Sequence, residues 1–194
     1  MGKIVLFMHV SLDGYASGPN GEMDWIVVND EIFDYGAQRI NTTQTALYGR
    51  KTFEMMEGYW HTAANQPNAS KHDIEHAAWY KSAKKVVLSN TLDAADFENT
   101  QVIREVDFVG ALIELKENTT GDILLFGSPT TAHSLLAEGL IDETWINVNP
   151  VLIGKGVPVF NAIKERMELK LLGAHVFSSG VICLSHEVVN RPIK

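Results

Sequence analysis

The sequence predicts an α/β fold: a mixed, mostly parallel sheet covered by helices on both faces and closed at one edge by an antiparallel hairpin. Three observations predict it. Apolar runs of strand length alternate with amphipathic helical stretches, the pattern of parallel strands joined by crossover helices. Several of those runs end in a glycine or small polar turn that opens a helix. The last two runs, residues 169–177 and 181–189, are joined through Ser178-Ser179-Gly180, a join of hairpin length.

Each element follows from its residues. Residues 3–10 are mostly apolar and read as a central first strand. Residues 11–25, SLDGYASGPNGEMDW, are rich in Gly, Asn, Asp and Pro and predict a long, functional loop. Asn29 or Asp30 caps a helix that turns Ile32, Phe33, Ala37 and Ile40 inward. Residues 45–48 form a second strand, and Gly49-Arg50-Lys51-Thr52 leads into a helical stretch with Phe53 and Met56. Two cations at a helix N-terminus oppose its dipole; either a bound anion offsets that cost, or the two are solvated surface groups. Residues 57–70, with Tyr59 and Trp60, read as a polar loop.

Residues 71–82 read as a helix with Ile74, Ala77 and Ala78 on one face. His72-Asp73-Ile74-Glu75-His76 formally matches the H-x-x-E-H zinc pattern. The helix is polar and no third acidic ligand is identifiable, so the motif reads as a solvated face and no metal is expected. Residues 85–88 form a strand ending in Ser89-Asn90-Thr91, and residues 101–103 another. Residues 106–116 form a helix using Val109, Leu112, Ile113 and Leu115. The apolar run 123–126 reads as a strand buried on both faces. Gly127 breaks it, and Ser128-Pro129 starts a helix, with the Ser side chain accepting from exposed N–H groups and Pro presetting φ. Ala132, Leu135, Leu136 and Leu140 share one face of that helix, and Gly139 ends it. Residues 144–148 are a strand, followed by a glycine-rich connection over 149–160. Cys183 lies mid-strand and is expected to be buried and inert.

The chain of 194 residues shows no repeat and no linker, so residues 1–194 are expected to form a single domain. Its 45% hydrophobic and 21% charged content is that of a soluble protein. A net charge of −8 disfavours nucleic acid and anionic membranes, so an anionic ligand needs a local basic cluster. A single cysteine excludes an intrachain disulfide and fits a reducing cytoplasm. The apolar run at residues 4–10 is too short for a signal sequence or a membrane span.

In a parallel sheet the strand C-terminal ends share one edge, where ligands lie. Gly49 to Thr52, Ser89 to Thr91 and Gly127 to Thr131 all follow strands, so the pattern gathers them on one edge. A phosphorylated nucleotide suits such a set of turns.

SLDGYASGPNGEMDW, ALYGRKTFEMM, KKVVLSNTL and LLFGSPTTAHSLLAEGLIDETWINVNPVLIGKGVPVF, in this order, resemble the dihydrofolate reductase-like family. Among its branches the chain is most similar to the reductase domain of bacterial riboflavin biosynthesis and its stand-alone relatives, above all over residues 139–160. The resemblance implies an α/β/α sandwich, NADPH as hydride donor and a homodimer. It implies that Arg50 contacts the adenosine 2′-phosphate and that Lys51 and Thr52, beside Gly49, meet the pyrophosphate region. Ser89 and Asn90 would line the adenine-ribose end. Gly127, Ser128, Thr130 and Thr131, following Phe126, would face the pyrophosphate. His9 and Val10 would border the nicotinamide, with Ser11, Asp13 and the following loop closing over it. Two positions depart from the family pattern: Phe126-Gly127 stands where paired glycines are frequent, and Pro129-Thr130 replaces a basic residue.

The expected function is therefore NADPH-dependent hydride transfer to a small heterocyclic or ribosylaminopyrimidine substrate. Asp30, five residues after Trp25, resembles the substrate-binding carboxylate of dihydrofolate reductase and also suits a helix start. Asp13 is the other catalytic candidate and equally a turn residue beside Gly14. His9 is a further possible proton donor. Trp25, Tyr59 and Trp60 either stack on a planar substrate or pack in the core. The deaminase domain usually fused to the riboflavin enzyme has no zinc signature here. Dihydrofolate reduction, an NADP-binding module without turnover and a zinc hydrolase are the alternatives.

Overall fold

The computed structural model describes residues 1–161 and 163–189. The chain groups into two compact units, Met1–Gly2 with Asp30–Leu124, and Lys3–Asn29 with Leu125–Lys194.

In the first unit, helix α1 (Asp30–Ile40) buries Ile32, Gly36 and Ile40. Asp30 and Glu31 in its first turn and Arg39 in its last complement the dipole. Strand β3 (Thr45–Gly49) is wholly buried and runs into α2 (Arg50–Ala63). Then come α3 (Lys71–Ser82), β4 (Lys84–Leu88), β5 (Thr100–Ile103) and α4 (Phe108–Glu117). Strand β4 pairs parallel to both β3 and β5, with Gly49 opposite Leu88 and Leu88 opposite Ile103. Helix α4 buries Leu112 and Leu115 but leaves Ile113 exposed, against expectation.

Two further expectations fail here. The loop expected over residues 57–70 is helix as far as Ala63. Gly58 reads as a breaker, yet side-chain bonds bridge it. Trp60 Nε1–H donates to Met56 Sδ at 3.1 Å, Glu57 meets His61, and the Tyr80 hydroxyl donates to Glu57 Oε2 at 2.5 Å.

The inward face of α3 is also different. Ile74 is exposed, and His76, Trp79 and Tyr80 are buried. The imidazole of His72 lies parallel on Phe33, centroids 3.7 Å apart, and His76 packs against Trp60 at 4.1 Å and Trp79 at 5.0 Å. The two histidines are packing groups rather than a solvated face, because neutral imidazole stacks as an aromatic ring. Burial lowers the pKa of His76 to about 3 and lowers that of His72. Among the described residues no cluster of three or more His, Cys, Asp or Glu side chains is placed to hold a metal ion.

Strand β6 (Ile123–Phe126), buried throughout, crosses from the first unit into the second. The second unit holds β1 (Ile4–Ser11), β2 (Tyr15–Ser17), α5 (Pro129–Ala137), β7 (Glu143–Asn149), β8 (Val157–Pro158), β9 (Leu169–Val176) and β10 (Ile182–Val188). Strand β1 is parallel to β7, with Ser11 opposite Asn149. Strand β10 is antiparallel to both β7 and β9, and Cys183 on it is buried. The main sheet has the order β5-β4-β3-β6-β1-β7-β10-β9, and β2 pairs with β8 separately. The fold is thus the predicted α/β sandwich, its mostly parallel sheet ending in an antiparallel hairpin. Among the described residues no helix is long and apolar enough to cross a membrane.

Candidate functional site

The most distinctive backbone in the second unit is the turn from β6 into α5. Gly127 and Ser128 both have left-handed backbones, φ +54° and +57°. Glycine adopts that region freely, but serine carries a Cβ and does so at a cost of about 1 kcal/mol. The Gly127 N–H donates to Phe7 O at 3.0 Å, which sets the end of β6 beside β1.

The left-handed backbone of Ser128 also changes its expected role. Its side chain caps no backbone N–H of α5; its Oγ instead lies 2.7 Å from Thr131 Oγ1. The left-handed φ turns Cβ away from the first helical turn, so the hydroxyl reaches a side chain. The start of α5 therefore has no side-chain cap, carries Pro129 where an N–H is not needed, and has no acid in its first turn. Such a helix end presents N–H donors and a positive dipole end to an anion.

A polar row lies beside it, at the adjacent ends of β1 and β7. Asn149 is fully buried, and its Oδ1 accepts the Val27 N–H at 2.9 Å. That bond fixes the amide, so Nδ2 faces Val10 O (3.3 Å), Asn147 O (3.2 Å) and His9 Nδ1 (3.4 Å). Both ring nitrogens of His9 face an amide Nδ2, and a neutral imidazole accepts at only one of them. Nε2 lies 3.3 Å from Asn147 Nδ2. Burial lowers the His9 pKa to about 4. His9 is a neutral imidazole at neutral pH, flanked by both asparagine amides, and is ill suited to deliver a proton.

Asp13 is equally engaged. It accepts from Ser11 Oγ at 2.7 Å, Gly154 N at 2.8 Å and Ile153 N at 3.2 Å. The Ser11 hydroxyl first, then those N–H groups, hold its carboxyl below the usual range. Its evident work is to tie the loop after β1 to the loop after β7. Val10 and Phe126 have buried side chains, and Phe126 packs on Phe7 with centroids 5.5 Å apart.

In the first unit, two turns leave the same edge of β3 and β4. Gly49 is buried, and α2 starts at Arg50 with no side-chain cap and no acid in its first turn. Arg50 and Lys51 are exposed, and Thr52 is half-buried. Arg50 Nη1 bonds both oxygens of Glu54, at 2.8 and 3.0 Å, so a ligand anion would compete with that exposed pair. Ser89 is buried, and its Oγ accepts from the N–H groups of Thr91 (3.2 Å) and Leu92 (3.0 Å). Its hydroxyl shapes the turn, and exposed Asn90 follows it. Asp30 is exposed at the start of α1.

Of the aromatic candidates, Trp60 packs on His76, Tyr59 donates to Asp73 Oδ1 at 3.0 Å, and Trp25 Nε1–H donates to Glu22 O at 3.2 Å. Sequence reasoning missed Asn147, Asn149 and Glu54. The asparagines carried a signal: polar residues at period two in an otherwise apolar strand mark one polar face.

Comparison with known proteins extends this picture. YyaP of Bacillus subtilis (strain 168) is 34% identical over 188 residues, covering 93% of this chain and 92% of that protein. A protein of Shewanella sp. PV-4 named for riboflavin biosynthesis superposes with a TM-score of 0.72 at 23% identity, covering 97% of this chain and 99% of that one. A diaminohydroxyphosphoribosylaminopyrimidine deaminase/5-amino-6-(5-phosphoribosylamino)uracil reductase of Thermotoga maritima superposes with a TM-score of 0.65 at 16% identity. It covers 97% of this chain and 57% of that longer protein. Residues 2–183 match the family described as the RibD C-terminal domain. The chain belongs to the RibD C-terminal domain family.

Proposed function

We propose that this chain is an NADPH-dependent reductase that transfers a hydride to a small heterocyclic or ribosylaminopyrimidine acceptor. The observation that carries the reading is the β6–α5 turn, where two left-handed residues precede a helix start without a side-chain cap. A pyrophosphate fits that donor set. Membership of the RibD C-terminal domain family supports the reaction class.

In this reading Gly127, Ser128, Thr130 and Thr131 hold the pyrophosphate. Arg50 takes the 2′-phosphate, Ser89 and Asn90 line the adenine-ribose end, and His9 and Val10 border the nicotinamide end, with Phe126 preceding the pyrophosphate turn. The bound dinucleotide supplies the hydride, and the protein supplies position and electrostatics. Neutral His9, held by Asn147 and Asn149, gives that end a fixed uncharged wall. Asp13 keeps the adjoining loop in place. With His9 and Asp13 so engaged, the proton falls to Asp30 or an ordered water. The exposed apolar side chains Leu169, Leu171 and Val176 on β9 support a homodimer as the assembly.

NADPH oxidation with a panel of pteridine, pyrimidine and dihydrofolate acceptors tests the reading. Saturable oxidation is expected; tight NADPH binding without turnover on any acceptor would instead favour a binding module. Replacing Arg50 by Ala should weaken NADPH roughly 10- to 100-fold, the worth of a charged hydrogen bond, and leave NADH within about twofold. Equal loss for both cofactors rules out the 2′-phosphate role.

A further inference from the structure

The loops that follow β1 and β7 in the second unit are zipped together along their length. Leu12 N–H donates to Val151 O at 2.8 Å, and Val159 N–H donates to Gly14 O at 2.9 Å. Asp13 bonds Ile153 and Gly154, and Tyr15 and Ser17 pair with Pro158 and Val157. The approach is so close at Gly156 that a Cβ there would lie 2.0 Å from Ser17 O. The result is a rigid lip at the strand edge where ligands of parallel sheets lie.

What the lip presents is apolar and, on balance, acidic. Leu12 is 64% exposed and Leu152 69%, one on each of the two loops that the bond from Leu12 N–H to Val151 O ties together. Phe160 is exposed as well. Residues 11–29 contain Asp13, Glu22 and Asp24 and no Lys, Arg or His. Residues 149–160 contain one cation, Lys155, whose charge acts on Glu22. His9 beneath the lip is neutral.

A phosphorylated acceptor needs fixed cations or a free N–H nest. The lip is poorly equipped for one: its one lysine is outnumbered by Asp13, Glu22 and Asp24, and the N–H groups of Ile153 and Gly154 are taken by Asp13. We infer that this lip receives an uncharged planar heterocycle or its riboside, packed against Leu12 and Leu152, and selects against the 5′-phosphorylated counterpart. The inference rests on the reductase reading for the reaction, but it concerns only which acceptor is preferred.

The test uses the full chain and one matched pair, 5-amino-6-(5-phosphoribosylamino)uracil and the same compound without its phosphate. Dissociation constants are measured by tryptophan fluorescence with and without saturating NADP, at low and high salt, alongside NADPH oxidation. Tighter binding of the dephosphorylated compound by tenfold or more, with the gap shrinking in high salt, is expected. Leu152→Lys, a change at an exposed side chain, should narrow that gap at least threefold. Equal or tighter binding of the phosphorylated compound, or no binding of either, overturns the inference. If the preference holds but neither compound supports NADPH oxidation, the reductase reading fails and the acceptor preference stands.

Discussion

Ser128 holds a backbone that serine rarely adopts, and nothing in its own packing demands it: its hydroxyl bonds Thr131, not the helix it precedes. Strained positions of this kind are maintained where a ligand needs the geometry. Ser128→Val should therefore destabilise the fold by about 1–2 kcal/mol, since a β-branched residue suits φ near +57° less still, and should weaken NADPH binding at least tenfold. Thermal unfolding and a cofactor titration measure both; unchanged NADPH affinity would remove this turn from the site. Asn149 is the other residue on which much depends, joining the ends of β1 and β7 to the segment before α1. Asn149→Ala should cost about 2 kcal/mol by leaving Val27 N–H without its acceptor and removing the amide contacts to Val10 O and Asn147 O, read as a fall in the unfolding midpoint. Ser128 was legible from the sequence as a helix start, but its left-handed φ was not, because Ser-Pro is equally compatible with an ordinary cap. The family resemblance named Asp13 and His9, while only side-chain geometry shows that both are already engaged.

Among the elements, those with strong local punctuation were readable. Helix α3 begins where Ser70 and its capping-box partner Asp73 place it. The hairpin at Ser178-Ser179-Gly180 and the buried run of β6 were as plain. The end of α2 and the inward face of α3 were not, because long-range bonds decide them. Glu57 serves both His61 and Tyr80, and two histidines replace aliphatic residues on the buried face. That choice has a pH consequence. With its pKa lowered to about 3 in the folded state, His76 stays neutral while the unfolded chain takes up a proton near pH 6.5. Unfolding then binds more protons, so stability falls as pH drops below about 6.5 and continues to fall toward pH 3, by about 1.4 kcal/mol per pH unit for one histidine. His76→Phe should flatten the midpoint-against-pH curve between pH 6 and 4; an unaltered slope would show that the imidazole is not buried neutral.

For the whole molecule, the alternation of strands and helices was enough to give a mixed, mostly parallel sheet with an antiparallel edge, since crossover connections leave few alternatives. The grouping into two compact units was not visible, because no change in composition or linker marks it and one of its three boundaries falls inside β6. Nor does local pattern show that Leu12 and Leu152, on which the proposed acceptor preference rests, are exposed; only tertiary structure reveals that. The central claim is that the β6–α5 turn binds the phosphates of a nicotinamide dinucleotide, and amide NMR during an NADPH titration reads it most directly. The N–H signals of Ser128, Thr130 and Thr131 are expected to move furthest and to saturate together. Saturable binding that leaves these three signals in place would contradict the account.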